Sequence, residues 1–533
     1  MNKNAIILAA GKSMRFAPFT YERPKGLFCV KGEILIERQI NQLIEAGIKD
    51  IYIVVGYMKE KFFYLENKYE QVHLLINNKF GEKGNLYSLY IAKDYINNTF
   101  ISYADYYFKN NPFIIPNQNN ESYRLCVYKE DKNTTFTVQL SDANVITNVS
   151  LSGDSLLTMA GPAYFNETFS RSFVSLMENE INEFRINSLF WEEFYQRHIK
   201  ELTLYMYEED TRNIIEFNSI DDLRQFDSDF LYNIDSDIIS NICNTINCHP
   251  NEISNINVIN AGLTNVSFRF YAKGVEYVYR HPGATAGNLI NRTSECCLQK
   301  IAYRLGLDNS FIKLDLSGWK ISYCVQNLTE CNFTKYPDQR LKAMKYLRKL
   351  HEESLDRDSD VKNFDNIEEA LKLMKLASSN KGNLLYEFKE EIDKVKRLDS
   401  YLKEDLKRLK LSRCLCHNDI YEPNFLISNN QQMYLIDWEY AGLNDPANDI
   451  CGFFSRYEFN EDDIDLFIND YLGNDYSYEM YRHIYAFIPV SAFYWIGWGC
   501  YKGSVGEDDG FFFLASYRLF HRYIDKALAM FEE

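Results

Sequence analysis

The chain has 533 residues, a length that calls for at least two domains, and its 46% hydrophobic and 25% charged content can build ordinary cores. Its 58 basic and 75 acidic residues give a net charge of −17. That excludes a broad basic surface for nucleic acid but leaves phosphate substrates open, because a few local cations suffice for those. The twelve cysteines have no paired zinc-ligand spacing: Cys296 and Cys297 are adjacent, and Cys414-x-Cys416 lacks companions. With no signal peptide they read as reduced thiols of a cytoplasmic protein, and the apolar run Ala5–Ala9 is too short to span a membrane.

The first element, AIILAA, reads as a buried strand that stops at Gly11. A loop with Lys12, Ser13 and Arg15 follows, and Lys25 comes after Pro24. A strand running into a Gly-containing loop with cations suits a triphosphate, since backbone N–H groups approach closely and Arg and Lys neutralise charge. The joint pattern L-A-A-G-x-S-x-R-F, then P-K, resembles the nucleotidyltransferase family that makes nucleotide sugars and CDP-choline. The resemblance implies a nucleotide cradle at Ala10, Gly11, Lys12 and Ser13. It sets Arg15 on the β/γ-phosphates and Lys25 on the reacting phosphates. Many family members carry a second glycine where this chain has Ser13.

Next, Ile36, Ile40, Leu43 and Ile44 share one helical face, and Gly47 ends that helix. IYIVV is the following strand, so the order implies a parallel sheet with a right-handed crossover. A third unit runs from HLLINN through KFGEKGN into a helix. There Asn85 either caps the helix or, with Ser88, approaches the nucleotide base as the resemblance implies. FISYAD ends in Asp105, a carboxylate placed at a strand end to hold magnesium, and the family has this Asp. A second metal carboxylate is expected near the end of the domain. The stretch EFNS puts Asn218 there, so three readings stay open: Asn218 coordinates through its carbonyl, Asp221 or Asp222 compensates, or this half is impaired. Between these points RLCVYK, FTVQL and VITNVSL read as an antiparallel extension of the sheet. Tyr164 and Trp191 are either core or a cation–π wall for a quaternary ammonium. The domain is expected to span 1–233 and to be Rossmann-like α/β, with a mixed, mostly parallel sheet.

The remainder, 234–533, begins with two alternating strands around AGLTN and a third, VEYVYR. This resembles the small lobe of a kinase. Gly262, Thr264 and Asn265 are the loop candidates over ATP, Arg280 is the strand cation, and Glu295 on the next helix is its partner or an exposed charge. KISYCVQNL is expected to carry the hinge that meets adenine. His351, on an apolar-striped helix, reads as structural. The stretch CHNDIYEPNFLISNNQQMYLIDWEY then sets Asp419 and Asn424 on one loop and Asp437 at the end of a short strand. One carboxylate to deprotonate a hydroxyl, with an amide and a second carboxylate for magnesium, suits phosphoryl transfer. The pattern H-x-D-x-x-x-x-N followed by strand-I-D resembles the choline kinase and aminoglycoside phosphotransferase family, which has a bilobal α+β protein-kinase fold. By that resemblance Asp419 is the base, and Asn424 and Asp437 bind metal. Asp445 and Asp449 are expected to brace the loop. Trp495 and Trp498, three apart on a helix, share a face with Tyr494 beside them. Such a pair is either core or, as its match to a W-x-x-W stretch of choline kinases implies, a cage for a trimethylammonium group, which Glu439 and Tyr440 could complete.

The two resemblances imply consecutive steps: choline phosphorylated by ATP, then phosphocholine joined to CTP with release of pyrophosphate, both with magnesium. Two rivals stand beside this reading. One is a sugar or other small-alcohol kinase fused to a sugar-1-phosphate nucleotidyltransferase. The other is a choline kinase with an inactive nucleotide-binding domain. Nothing in the sequence sets an oligomeric state.

Overall fold

The computed structural model describes residues 3–114, 120–128, 136–151, 156–183, 185–259, 265–283, 286–355, 360–455, 459–473, 475–507 and 512–532. The chain forms two compact units, Met1–Glu252 and Ile253–Glu533. The division lies beyond the boundary at 233 read from the sequence. The Glu22 carboxylate accepts from the Ser236 hydroxyl and, at 3.0 Å, from the Ile238 N–H, so the helix Asp237–Ile246 is tied to the first unit.

In the first unit, the strand Asn4–Ala9 lies between two parallel neighbours, Ile51–Val55 and Thr99–Tyr103, with Val72–Ile76 beyond the former. Ala5, Ile6 and Ile7 are at most 1% exposed, as expected for a strand covered on both faces. The helix Leu35–Glu45 covers one face through Ile36, Ile40 and Leu43, and the chain leaves it through Gly47 at φ 82°. Leu157–Phe165 pairs antiparallel with Thr99–Tyr103 and carries the extension formed by Tyr123–Tyr128, Phe136–Leu140 and Ile146–Leu151. Since the strand order reverses direction at Asn4–Ala9, the carboxyl ends of Asn4–Ala9 and Thr99–Tyr103 flank a crevice. The Gly11 loop and Asp105 emerge there.

Two expectations are corrected here. Tyr164 and Trp191 do not form one wall. Tyr164 belongs to the cluster on one side of the sheet with Tyr123 and Phe100. Trp191, 0% exposed, lies in the other cluster against Phe165, with ring centroids 5.5 Å apart. Tyr164 and Phe165 are consecutive in a strand, so their side chains point to opposite faces. The cation over Trp191 is the chain's own Arg124 guanidinium, 5.3 Å from the ring centroid. Asn85 is not a cap either: it is the first helical residue of Asn85–Ile91, and Gly84 holds the cap position.

The second unit opens with a five-stranded antiparallel sheet in the order Ser254–Ile259, Asn265–Ala272, Val275–Pro282, Lys320–Tyr323, Phe311–Leu314. The helix Arg292–Arg304 interrupts it in sequence. The rest is mainly helical. Its long elements are Pro337–His351, Asn366–Lys381, Lys389–Arg408, Tyr478–Ser504 and Phe512–Glu532. Two short antiparallel pairs sit among them: Cys414–Cys416 with Gly442–Asn444, and the hairpin of Phe425–Ile427 with Met433–Leu435. One apolar core runs through Leu347, Met374, Leu415, Trp438 and Phe493. No helix among the described residues is long and apolar enough to cross a membrane.

Candidate active sites

In the first unit, chain direction changes at Ala10, whose carbonyl accepts from the Tyr57 N–H at 3.1 Å. Ser13 then takes up φ 47°, ψ 44°, a left-handed conformation that glycine adopts without penalty and serine does not. Phe16, 2% exposed, anchors the far end of the loop. Lys25 follows in a single turn of 3-10 helix. Its ammonium lies 2.7 Å from Asp105 Oδ2, 2.7 Å from the Phe217 carbonyl and 4.2 Å from the Phe16 ring centroid. Gly26 permits this approach, since a Cβ there would meet Ala104 Cβ at 2.8 Å.

These elements surround a cavity of about 300 Å3. Ala10, Gly11, Ser13, Lys25, Asn85, Ser88 and Asp105, all expected site residues, line it. Lys12 and Arg15 are exposed on the same loop, outside that lining. The side chain of Asn85 is committed: it donates to the Tyr103 hydroxyl at 2.7 Å and accepts from the Trp191 N–H at 2.8 Å. Ser88 accepts from Asn77 Nδ2 at 3.1 Å. Asn218 is half-buried next to Phe217, whose carbonyl holds Lys25. Asp222 is not available to replace a missing carboxylate. Its Oδ2 accepts from the N–H groups of Asn218 and Ser219, at 2.8 and 3.0 Å, in the capping box of the helix Ile220–Phe226. Asp221 is exposed. Phe80, Lys83 and Tyr103 also line the cavity and went unread in the sequence. Lys83 sits in the Gly-containing loop KFGEKGN, a signal that could have drawn it in.

In the second unit, Asp419 and Asn424 meet as their spacing suggested. Asn424 Nδ2 donates to the Asp419 carbonyl at 2.7 Å and to Asp419 Oδ2 at 3.1 Å. Both amide protons are thereby used, which leaves Oδ1 as the donor atom for a cation. Asp437 leaves the strand Met433–Leu435 at φ 68°, ψ 62°, and the Ile436 N–H donates to the Asn424 carbonyl at 2.9 Å, so loop and strand end are locked together. Arg280 spans the carboxylates: Nη2 lies 2.5 Å from Glu295 Oε1, and Nη1 lies 3.2 Å from Asp437 Oδ1 and 4.0 Å from Glu439 Oε2. Burial opposes its charge, but Glu295, Asp437 and Glu439 outweigh that and hold the guanidinium ionised. Burial pushes the Glu439 carboxyl up to about 8, helped by Asp437 and opposed by Arg280. Asn265 donates to Glu439 Oε2 at 2.5 Å. Gly262 and Thr264 lie outside the described residues.

The loop is braced from behind. The Asp449 carboxylate accepts from the backbone N–H groups of His417 and Asn418, at 2.8 and 2.7 Å, and from His351 Nε2 at 3.1 Å. Asp445 instead caps the helix Pro446–Gly452 and holds His483 Nε2 at 2.8 Å. A buried amide network adds to this. Asn418 Oδ1 accepts from Asn444 and Asn448, and Asn366 joins those two. Only the tertiary contact with Asn366 reveals that network.

Beside the loop, Tyr440, Tyr494, Trp495, Trp498 and Phe512 form one buried cluster. Trp495 lies 5.7 Å from both Tyr440 and Trp498, ring centroid to ring centroid. The Trp498 indole donates to the Tyr440 hydroxyl at 2.9 Å. Burial raises the Tyr494 phenol, and Tyr440, Glu369, Asp419 and Glu439 add to the effect. The Tyr440 carbonyl accepts from Asn418 Nδ2 at 3.0 Å, which joins the cluster to the loop.

A family model described as choline/ethanolamine kinase matches residues 256–520, and one described as MobA-like NTP transferase domain matches residues 5–114. The 2-aminoethylphosphonate cytidylyltransferase of Lancefieldella rimae is 33% identical over 234 residues, 43% of this chain and 94% of the relative. The choline-phosphate cytidylyltransferase of Streptococcus pneumoniae is 34% identical over 223 residues, 42% of this chain and 96% of the relative. Protein LicA of Haemophilus influenzae is 26% identical over 280 residues, 51% of this chain and 99% of the relative.

The chain is a fusion of an NTP-transferase domain with a choline/ethanolamine-kinase-like domain. Each domain holds one candidate site: the cavity lined by Lys25 and Asp105 in the NTP-transferase domain, and the loop carrying Asp419 in the kinase-like domain. The Tyr164 and Trp191 pair belongs to neither.

Proposed function

We propose that the two domains catalyse consecutive steps of CDP-choline synthesis. In the kinase-like domain Asp419 takes the proton of the choline hydroxyl. The oxygen attacks the γ-phosphorus of ATP, the bond to the β-phosphate oxygen breaks, and ADP leaves with the electron pair. Arg280, held ionised by its three carboxylates, is suited to bidentate contact with the nucleotide phosphates. The aromatic cluster receives the trimethylammonium group, and the arriving positive charge favours ionisation of the Glu439 carboxyl at its edge. In the NTP-transferase domain a phosphocholine oxygen attacks the α-phosphorus of CTP and pyrophosphate leaves. Lys25 stabilises the charge that develops, with Arg15 directed to the outer phosphates.

Magnesium fits the donor sets. Asn424 Oδ1 and Asp437 would hold it in one domain, and Asp105, which lines the cavity where Asn218 does not, in the other, where it would neutralise phosphate charge. The second set has one carboxylate, and Lys25 already shares it.

The observation that carries this reading is that the cluster of Tyr440, Tyr494, Trp495 and Trp498 is joined to the loop: Tyr440 follows Glu439, and its carbonyl accepts from Asn418, next to Asp419, at 3.0 Å. The test supplies the purified chain with choline, ATP, CTP and magnesium and follows products by mass. Phosphocholine and CDP-choline are both expected. Absence of both overturns the reading. A second reading concerns the NTP-transferase domain alone: it takes an aminoalkyl phosphonate. The similarity to the Lancefieldella rimae relative favours it, as does the dispersal of Tyr164 and Trp191. Competition between phosphocholine and 2-aminoethylphosphonate for CTP decides between them.

A further inference from the structure

Cys414 and Cys416 are two apart in a short strand and therefore project to the same face. Their sulfurs lie 3.8 Å apart, a contact that an S–H···S bond fills in the metal-free protein. Two thiolates on one tetrahedral zinc ion, each at about 2.3 Å, would be separated by about 3.8 Å as well. The missing companion comes from a distant part of the chain. His351, at the end of the helix Pro337–His351, brings a ring nitrogen within 4.8 Å of both sulfurs.

The tautomer of that ring follows from its two partners. The Asp449 carboxylate facing Nε2 can only accept, and the Tyr471 hydroxyl, 2.8 Å from Nδ1, donates to that nitrogen. Nε2 then carries the ring proton and donates to Asp449 Oδ2 at 3.1 Å. Nδ1 keeps the ring's lone pair, which the Tyr471 hydroxyl engages, and a carboxylate backs the other nitrogen. That is the support metal-ligating histidines usually have. We propose that Cys414, Cys416 and His351 Nδ1 form a site for a thiophilic divalent cation such as zinc, with the Tyr471 hydroxyl or water as fourth ligand. Binding expels the two thiol protons to solvent and replaces the Tyr471-to-His351 hydrogen bond. No electrons are exchanged. The site lies behind the Asp419 loop and is separate from the donors Asn424 and Asp437. It communicates with that loop through Asp449, which holds the His417 and Asn418 N–H groups.

The test titrates the full chain, freed of metal by chelation, with cobalt(II) in excess magnesium, so that the nucleotide sites are already filled. One equivalent is expected to bind with sulfur-to-cobalt charge-transfer absorption. Zinc is expected to displace it. Cys414→Ser and Cys416→Ser are each expected to abolish the band, while Cys324→Ser, in the other lobe, keeps it. Loss of a supporting outer-shell group already costs about 10–100-fold in metal affinity, so loss of either sulfur is expected to weaken zinc at least ten-fold. X-ray absorption on the zinc-loaded unmodified chain gives a readout that needs no variant, with two sulfurs and an imidazole expected around zinc. A band that persists in Cys414→Ser, or a first shell of oxygen alone, overturns the proposal.

Discussion

The two transfer sites handle negative charge in opposite ways. In the kinase-like domain, Asp437, Glu439 and Glu295 gather around a single guanidinium, and a loop locked by Asp449 and four asparagines carries Asp419. In the NTP-transferase domain one carboxylate, Asp105, is paired with one buried lysine, and the nearest extra carboxylate, Asp222, is spent on a helix cap. A site rich in carboxylates needs a rigid frame to hold them together against repulsion. A site with one ion pair needs only a close approach, which Gly26 provides. The two sites share a backbone device: each turns out of a strand through a non-glycine residue at positive φ, Ser13 in one and Asp437 in the other. Asp tolerates this conformation better, since its short polar side chain bonds locally.

Substitutions that act on one site alone sharpen this contrast. The largest effect is expected from Asp419→Asn. It should lower phosphoryl transfer by about 10²–10⁴-fold while leaving CTP-dependent transfer to supplied phosphocholine unchanged. Equal loss of both activities would mean that the sites are not independent. Lys25→Ala should do the reverse, lowering nucleotidyl transfer by about 10²–10³-fold with phosphorylation of choline intact. A smaller effect is expected at the aromatic cluster. Trp495→Leu should raise the KM for choline by about 2–30-fold, from a cation–π contact of about 0.5–2 kcal/mol. Its counterpart in the NTP-transferase domain, Trp191→Leu, should lower thermal stability and leave the KM for phosphocholine unchanged, because that ring is enclosed in the core. The smallest change is expected from Ser13→Gly. Relief of a left-handed serine, worth about 1–2 kcal/mol, is offset by the greater freedom of glycine in the unfolded chain, so melting should shift by less than the equivalent of about 1 kcal/mol.

The aromatic pairs illustrate what could be read in advance. Trp495 and Trp498 are three apart on a helix, and helical geometry alone puts them on one face. Tyr164 and Trp191 are far apart in sequence, and no local period relates them. Their separation follows from strand alternation at Tyr164 and Phe165, together with the side of the sheet on which the helix Trp191–Arg197 docks. Asn218 and Asp222 make the same point for polar groups. The acidic run reads as a reserve of metal ligands, yet Ser219 and Asp222, three residues apart, form a capping box, a pairing that their spacing alone allows.

By itself, the sequence determined both families, through LAAGKSMRF with Pro24-Lys25 and through HNDIYEPN with LID, along with most strands and the long helices around them. Each of these rests on residues close together in the chain, where hydrophobic period and turn chemistry act directly. Only the tertiary structure decided which aromatic groups meet, how Arg280 joins Glu295, Asp437 and Glu439, how three asparagines brace Asn418, and that His351 arrives beside Cys414 and Cys416. Those meetings depend on how helices and hairpins distant in sequence dock on a shared core, and that docking is set by the burial of many residues at once.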